Sequence, residues 1–186
     1  INYKNTIKKF KKNQSVIFKY GGYKKRQKMI PNIIHLIWFG DLPNDLETKI
    51  KLWKSYNKEY EIWLWTSTKF IKNFKNIKYP YLKLKSIEDS LKNNDIIKLW
   101  LSVSIKKWGP MIYGAASDVA RLSIITEYGG HYTDLDNYPG KINNNWGKKY
   151  GFYILKNKDI LPSFMGGKKN NLLTSISEEM LISKNY

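Results

Sequence analysis

Apolar residues fall into two patterns along this chain, and their alternation predicts the fold. Ile30-Pro31-Asn32-Ile33-Ile34-His35-Leu36-Ile37-Trp38-Phe39-Gly40 is a nearly continuous apolar and β-branched run. That is the pattern of a strand buried on both faces, ended by Gly40-Asp41. Helical spacing follows, with Leu46, Ile50 and Trp53 inside Asn44 to Tyr56 and Asn44 or Asp45 as the N-cap. Glu61 to Trp65 predicts a second strand, and Thr66-Ser67-Thr68 turns into a short helix through Phe74. Tyr81 to Leu84 is a third, shorter strand, and helical stretches are expected from Ile87 to Lys107, broken by Trp108-Gly109-Pro110. Ala115 to Tyr128 reads as a helix apolar on nearly every face, stopped by Gly129-Gly130. His131-Tyr132-Thr133 is then a strand running into Asp134-Leu135-Asp136, and Asn137-Tyr138-Pro139-Gly140 turns out of it. Ser163 to Gly167 suits another strand, and Thr174 to Ile182 another helix. Strands alternating with helices predict an α/β domain with a mostly parallel sheet flanked by helices.

Composition narrows the classes without choosing among them. With 42% hydrophobic and 15% aromatic residues the chain can build a core, so wholesale disorder is excluded. No cysteine is present, which removes Cys-type zinc sites and thiol catalysis. Thirty-three Lys and Arg against fifteen Asp and Glu give a net charge of +18, which raises a nucleic-acid-binding module as one reading. Lysines occur through nearly the whole chain rather than in one stripe, so a solvated lysine-rich surface accounts for most of that charge and no specific nucleic acid is expected. The densest basic stretch, Lys8 to Lys28, marks residues 1–29 as a basic leader or linker: a linker tail to a preceding domain is the favoured reading, and contact with an anionic membrane is the alternative. Residues 30–186 then form the domain.

Candidate chemistry lies among the scarce charges. Asp118 and Arg121 are three apart on the apolar helix, so a carboxylate and a guanidinium share one side of it, and a buried charge must be paired or bound. Either a structural ion pair or a ligand-facing pair satisfies that demand. Only two of the basic residues, Arg26 and Arg121, are arginine, which favours a geometry-demanding role for Arg121. Asp134 and Asp136, if the strand persists through them, point to one face and suit a hard divalent cation such as Mg²⁺ or Mn²⁺. A solvated acidic turn is the alternative. Trp38 ends the first strand at the same sheet edge, where its indole either stacks on a base or packs into the core. His35 and His131 lack the spacing of a zinc site, and no phosphate-loop, dinucleotide or serine-hydrolase motif is present.

Taken in order, Ile30-Pro31…Ile34-His35…Ile37-Trp38-Phe39-Gly40, Ala116-Ser117-Asp118…Arg121-Leu122 and Tyr128-Gly129-Gly130…Tyr132…Asp134-Leu135-Asp136 resemble the Asp-x-Asp sugar transferases. That superfamily includes capsular-polysaccharide and fungal mannosyl transferases and the glycosyltransferase domains of large clostridial cytotoxins and related effectors. The resemblance implies a GT-A-like, Rossmann-related fold, a UDP-sugar donor, retention of configuration, a divalent metal (Mn²⁺ or Mg²⁺) and a protein or glycan acceptor. By position, Trp38 stacks on uracil with Ile37 and Phe39 flanking it. Ser117 contacts the nucleoside, and Asp118 and Arg121 hold the transferred sugar and phosphate. Tyr132 lines the donor pocket, Asp134 contacts sugar hydroxyls and the metal shell, and Asp136 binds the metal. Asp118, Arg121 and Asp134 are thus the expected catalytic residues. Asp134-Leu135-Asp136-Asn137-Tyr138-Pro139-Gly140 resembles the toxin branch, while the short span from Thr66 to Ala115 resembles the compact enzymes; the balance leans to a toxin or effector. His131 and Thr133 depart from the family in being polar. Only fifty residues follow Asp136, which leaves a truncated, minimal or inactive member, the last a fold used for interaction or membrane docking, as alternatives.

Overall fold

The computed structural model describes residues 29–92, 97, 111–143, 145–146, 151–154 and 163–170. A six-stranded sheet runs through them: β1 (Ile33–Ile37), β2 (Glu61–Thr66), β3 (Leu82–Ser86), β4 (Gly130–Thr133), β5 (Phe152–Ile154) and β6 (Phe164–Gly167). Its order is β3-β2-β1-β4-β6-β5; β3, β2, β1, β4 and β5 run one way, and β6 alone runs antiparallel, between β4 and β5. The expected mostly parallel sheet flanked by helices is what the chain builds. The helices are α1 (Leu46–Tyr56), the single turn α2 (Ile87–Ser90) and α3 (Met111–Tyr128), with a 3-10 turn at Ile71–Phe74.

Side-chain alternation along the strands sorts the core into two layers. Ile34, Leu36, Ile62 and Leu64 point to the face covered by Leu46, Ile50 and Trp53 of α1. Ile37, Trp63 and Trp65 point to the other face, covered by Val119, Ala120, Ile124 and Ile125 of α3. A helix apolar on several sides is what a buried α3 requires.

Element boundaries moved where local patterning was a poor guide. α3 starts at Met111, four residues before Ala115, because Gly114 is carried inside the helix rather than ending it. Asp45 does occupy the N-cap of α1, yet its carboxylate pairs with Lys49 at 2.9 Å instead of capping. Of the helical stretches expected from Ile87 to Lys107, α2 is one turn, capped by Ser86 and ended by extended Leu91, and Ile97 is helical. The rest of that stretch, the leader 1–28 and the helix expected at Thr174 to Ile182 lie outside the described residues. Gly130, expected in the helix stop, opens β4 instead. β5 went unanticipated; its three residues are too few to carry a period.

The two histidines sit in the core and are satisfied there. Trp65 Nε1–H donates to His35 Nδ1 at 3.0 Å, so His35 carries its proton on Nε2 and donates it to the Gly129 carbonyl at 2.7 Å. Gly130 has φ +104°, and a Cβ there would lie 2.7 Å from His35 Nε2, so this position needs glycine. His131 Nδ1 and the Tyr153 hydroxyl of β5 share a hydrogen bond at 2.6 Å. The polar residues before the Asp pair are therefore internally paired: His131 with β5, and Thr133 within the turn described below.

Burial lowers the His35 pKa from 6.5 to about 4 and that of His131 to about 3. Both are neutral in the fold and take up protons on unfolding below pH 6.5. Their contribution to stability is complete above that pH and is lost progressively as pH falls toward 4. For His35 this amounts to about 3 kcal/mol. Denaturant unfolding measured from pH 7 to pH 4.5 is expected to show that decline. His35→Gln should be less stable at pH 7 and flatter with pH; an equally steep curve would remove His35 as its source.

Candidate active site

The chain leaves β1 for β2 and β3 on one side, then returns to place β4 on the other side of β1. That reversal opens a crevice at the carboxyl ends of β1 and β4, where open α/β sheets take their ligands. A cleft of about 820 Å³ occupies it. Ile37, Trp38 and Phe39 line it from the end of β1, Ser117, Asp118 and Arg121 from α3, and Tyr132, Asp134 and Asp136 from β4 and the turn beyond. All nine residues expected from the sequence are thus brought to one cleft.

Trp38 is held at the rim by its indole N–H, which donates to the Asp41 carbonyl at 2.7 Å, and by its backbone N–H to the Trp65 carbonyl at 2.9 Å. It is half-buried, packing against the core while lining the cleft, so the two readings of this residue coexist. Ile37 and Phe39 on either side of it are buried in the core layer of the other sheet face.

Arg121 is the centre of the charged cluster. Its residue is only 6% exposed. One guanidinium nitrogen contacts an Asp118 oxygen and lies 3.6 Å from Asp134 Oδ1. The guanidinium carbon sits 4.7 Å from the centre of the Tyr132 ring, and Nε donates to the Ser117 carbonyl at 3.3 Å. Lysine could not meet these demands together, because its single nitrogen cannot contact the carboxylates, cover the ring and donate to the Ser117 carbonyl at once. Tyr132 donates its hydroxyl to Asp134 Oδ1, and burial keeps that hydroxyl protonated. Burial also raises the carboxyls of Asp118 and Asp134, with Arg121 opposing the shift at both.

The Asp pair is not on a strand. β4 ends at Thr133, and Asp134 to Asn137 is a turn closed by the Asn137 N–H donating to the Asp134 carbonyl at 3.2 Å. Between the two acids Leu135 is buried at 5% exposure and anchors the turn, while Asp136 is exposed. Both still line the cleft, so the pairing survives on a turn anchored by Leu135 rather than on strand alternation. Tyr113, Gly114, Leu135, Asn137 and Ser163 complete the lining. The sequence carried no mark for Tyr113 or Ser163; their positions depend on where α3 starts and on β6 pairing beside β4.

For a metal, the pair offers hard oxygen donors of the kind Mg²⁺ and Mn²⁺ take, and the described residues include no cluster of three or more metal-donor side chains. An ion here would complete its shell with water and ligand oxygens, which is the usual way such ions sit beside a diphosphate.

An open α/β sheet with a charged cleft at its switch point defines the class: a protein that binds its ligand beyond the strand ends. The chain belongs to the family described as glycosyltransferase sugar-binding region containing DXD motif, which matches residues 43–153 and so contains Asp134-Leu135-Asp136. Among solved structures it is similar to the PaToxG glycosyltransferase, at 21% identity and TM-score 0.58, over 98% of this chain and 71% of that one. It is also similar to the UDP-bound glycosyltransferase domain from the YGT toxin, at 12% identity and TM-score 0.52, over 83% of this chain and 62% of that one. At such identities the likeness is one of fold. No curated protein matches the chain.

Proposed function

We propose that this glycosyltransferase moves a hexosyl unit from a UDP-sugar to a hydroxyl of a protein or glycan acceptor, with retention, using Mn²⁺ or Mg²⁺ held by Asp134 and Asp136. One observation carries the reading. In a chain of net charge +18, the described residues that line the cleft include three carboxylates, one guanidinium and no lysine. A diphosphate is also anionic, so it is repelled from such a cleft unless a divalent cation lies between them. When bound, that cation would supply charge neutralisation for the departing nucleoside diphosphate.

The chain's own residues do the remaining work. Trp38, flanked by Ile37 and Phe39, offers an apolar aromatic surface to the base, and Ser117 a hydroxyl to the nucleoside. Arg121, held by Asp118 and by Tyr132, presents a fixed positive charge that needs no reorganisation as negative charge grows on the leaving oxygen. Asp118 and Asp134 accept from sugar hydroxyls. The anomeric carbon's bond to the diphosphate oxygen breaks, its bond to the acceptor oxygen forms, and the acceptor's proton leaves to solvent. In the same reading residues 1–29 are a leader or linker that meets anionic lipid and residues 30–186 the transferase domain.

Calorimetry of UDP binding in Mn²⁺ and in EDTA tests this. Binding is expected to require the metal, and UDP-sugar hydrolysis to accompany it. Metal-independent UDP binding, or none, would overturn the donor site; steeply salt-dependent RNA binding without UDP affinity would favour a nucleic-acid module.

A further inference from the structure

In the sequence Asn137 reads only as a turn residue, yet in the fold it is the hub of a closed set of hydrogen bonds. Its side-chain amide donates to the Ser163 carbonyl at 2.7 Å and to Thr133 Oγ1 at 3.0 Å. A backbone carbonyl only accepts, so the amide nitrogen must face Ser163, and both of its hydrogens are spent on these two contacts. Thr133 Oγ1 in turn donates to the Asp134 carbonyl at 3.2 Å, the carbonyl that also receives the Asn137 backbone N–H. The Asp134 N–H completes the ring by donating to Ser163 at 2.9 Å.

The consequence falls on Asp136. Asp134 is held by Tyr132 and Arg121 as well as by its backbone, but no hydrogen bond or ion pair to a described residue holds the Asp136 carboxylate. Its place relative to Asp134 is set by its neighbours, buried Leu135 on one side and clamped Asn137 on the other. We propose that Asn137 is a positioning residue for the metal site, its amide cross-bracing the Asp134–Asp136 turn against Ser163 so that the two carboxylates meet one divalent cation. The proposal rests on the metal reading above. Ser163 leads directly into β6, so the brace also ties the carboxylate pair to the antiparallel side of the sheet.

The test is Mn²⁺ titration by electron paramagnetic resonance in the presence of UDP, with thermal melts run alongside. Asn137→Ala is expected to weaken Mn²⁺ affinity about 10- to 100-fold, the range for removing a residue that orients a metal ligand. Thr133→Val, which removes one arm of the brace, should lose less, and Thr133→Ser, which keeps the hydroxyl, should bind like the parent. If Asn137→Ala fails to fold, the two Thr133 variants carry the test. Parent-like Mn²⁺ affinity in Asn137→Ala, or in Thr133→Val where only that pair folds, overturns the clamp alone. Equal loss in Thr133→Val and Thr133→Ser does so too, because a hydroxyl-independent effect is packing. A parent that binds neither Mn²⁺ nor UDP overturns the metal reading and the clamp together.

Discussion

Asp136→Asn is expected to lower UDP-sugar turnover by about 10³-fold while leaving the melting temperature unchanged. The separation of the two effects follows from where Asp136 sits. It is exposed on the turn after β4 and makes no hydrogen bond or ion pair to a described residue, so the amide disrupts no contact among the described residues. Under the metal reading proposed above, what it loses is one of two anionic oxygen ligands in a site that has few to spare. Asp134→Asn should cost turnover as well, but with a drop in stability, because it replaces the charged acceptor of the Tyr132 hydroxyl by a neutral amide and takes a negative charge from beside Arg121. Hydrolysis measured across a Mn²⁺ series, with melts of each variant, distinguishes them. Asp136→Asn retaining turnover within tenfold of the parent at saturating Mn²⁺ would mean that Asp136 is no ligand.

Arg121→Met should remove activity and destabilise the fold by about 3 kcal/mol at neutral pH. Methionine fills much of the volume, so the loss is chiefly electrostatic: two half-buried carboxylates lose the cation they share. Burial already raises both carboxyls, and Arg121 opposes that rise. Without it their folded pKa values climb further above the unfolded ones. An acid shifted upward destabilises the fold where it is ionised, and the penalty vanishes below the unfolded pKa, where both states are protonated. The deficit of Arg121→Met is therefore expected to be largest near pH 7 and to shrink as pH falls through the raised carboxyl range. Denaturant unfolding of parent and variant at a series of pH values measures it. A deficit that stays constant with pH would assign the loss to packing on Tyr132 instead. Arg121→Lys keeps the charge yet should recover little activity, since one ammonium cannot at once sit between Asp118 and Asp134, lie over the Tyr132 ring and donate to the Ser117 carbonyl.

Much of this molecule was legible before any tertiary contact was known. The apolar run ending at Phe39 could only be a buried strand, and Trp38 necessarily sat at its end. Val119, Ala120, Ile124 and Ile125 on one helix demanded a core on at least one side, which left Asp118 and Arg121 conspicuous among them. Gly129-Gly130 placed a strand start, and so brought Asp134 and Asp136 to a strand's end. These are local inferences, because periodicity and turn chemistry act within a few residues.

What the tertiary structure decided is what depends on partners far apart in the chain. Tyr153 satisfies His131 from 22 residues away, and Trp65 satisfies His35 from 30. Asn137 finds the Ser163 carbonyl 26 residues on, only because β6 runs antiparallel beside β4. That same contact turns the acid pair away from strand geometry at Thr133. Sequence alone therefore determined the class of fold and which side chains carry charge into the cleft, since propensity and apolar spacing are short-range. How those charges are paired, which histidines are neutral and what Asn137 bonds to required the assembled sheet, since hydrogen-bond satisfaction in a buried core is a long-range condition.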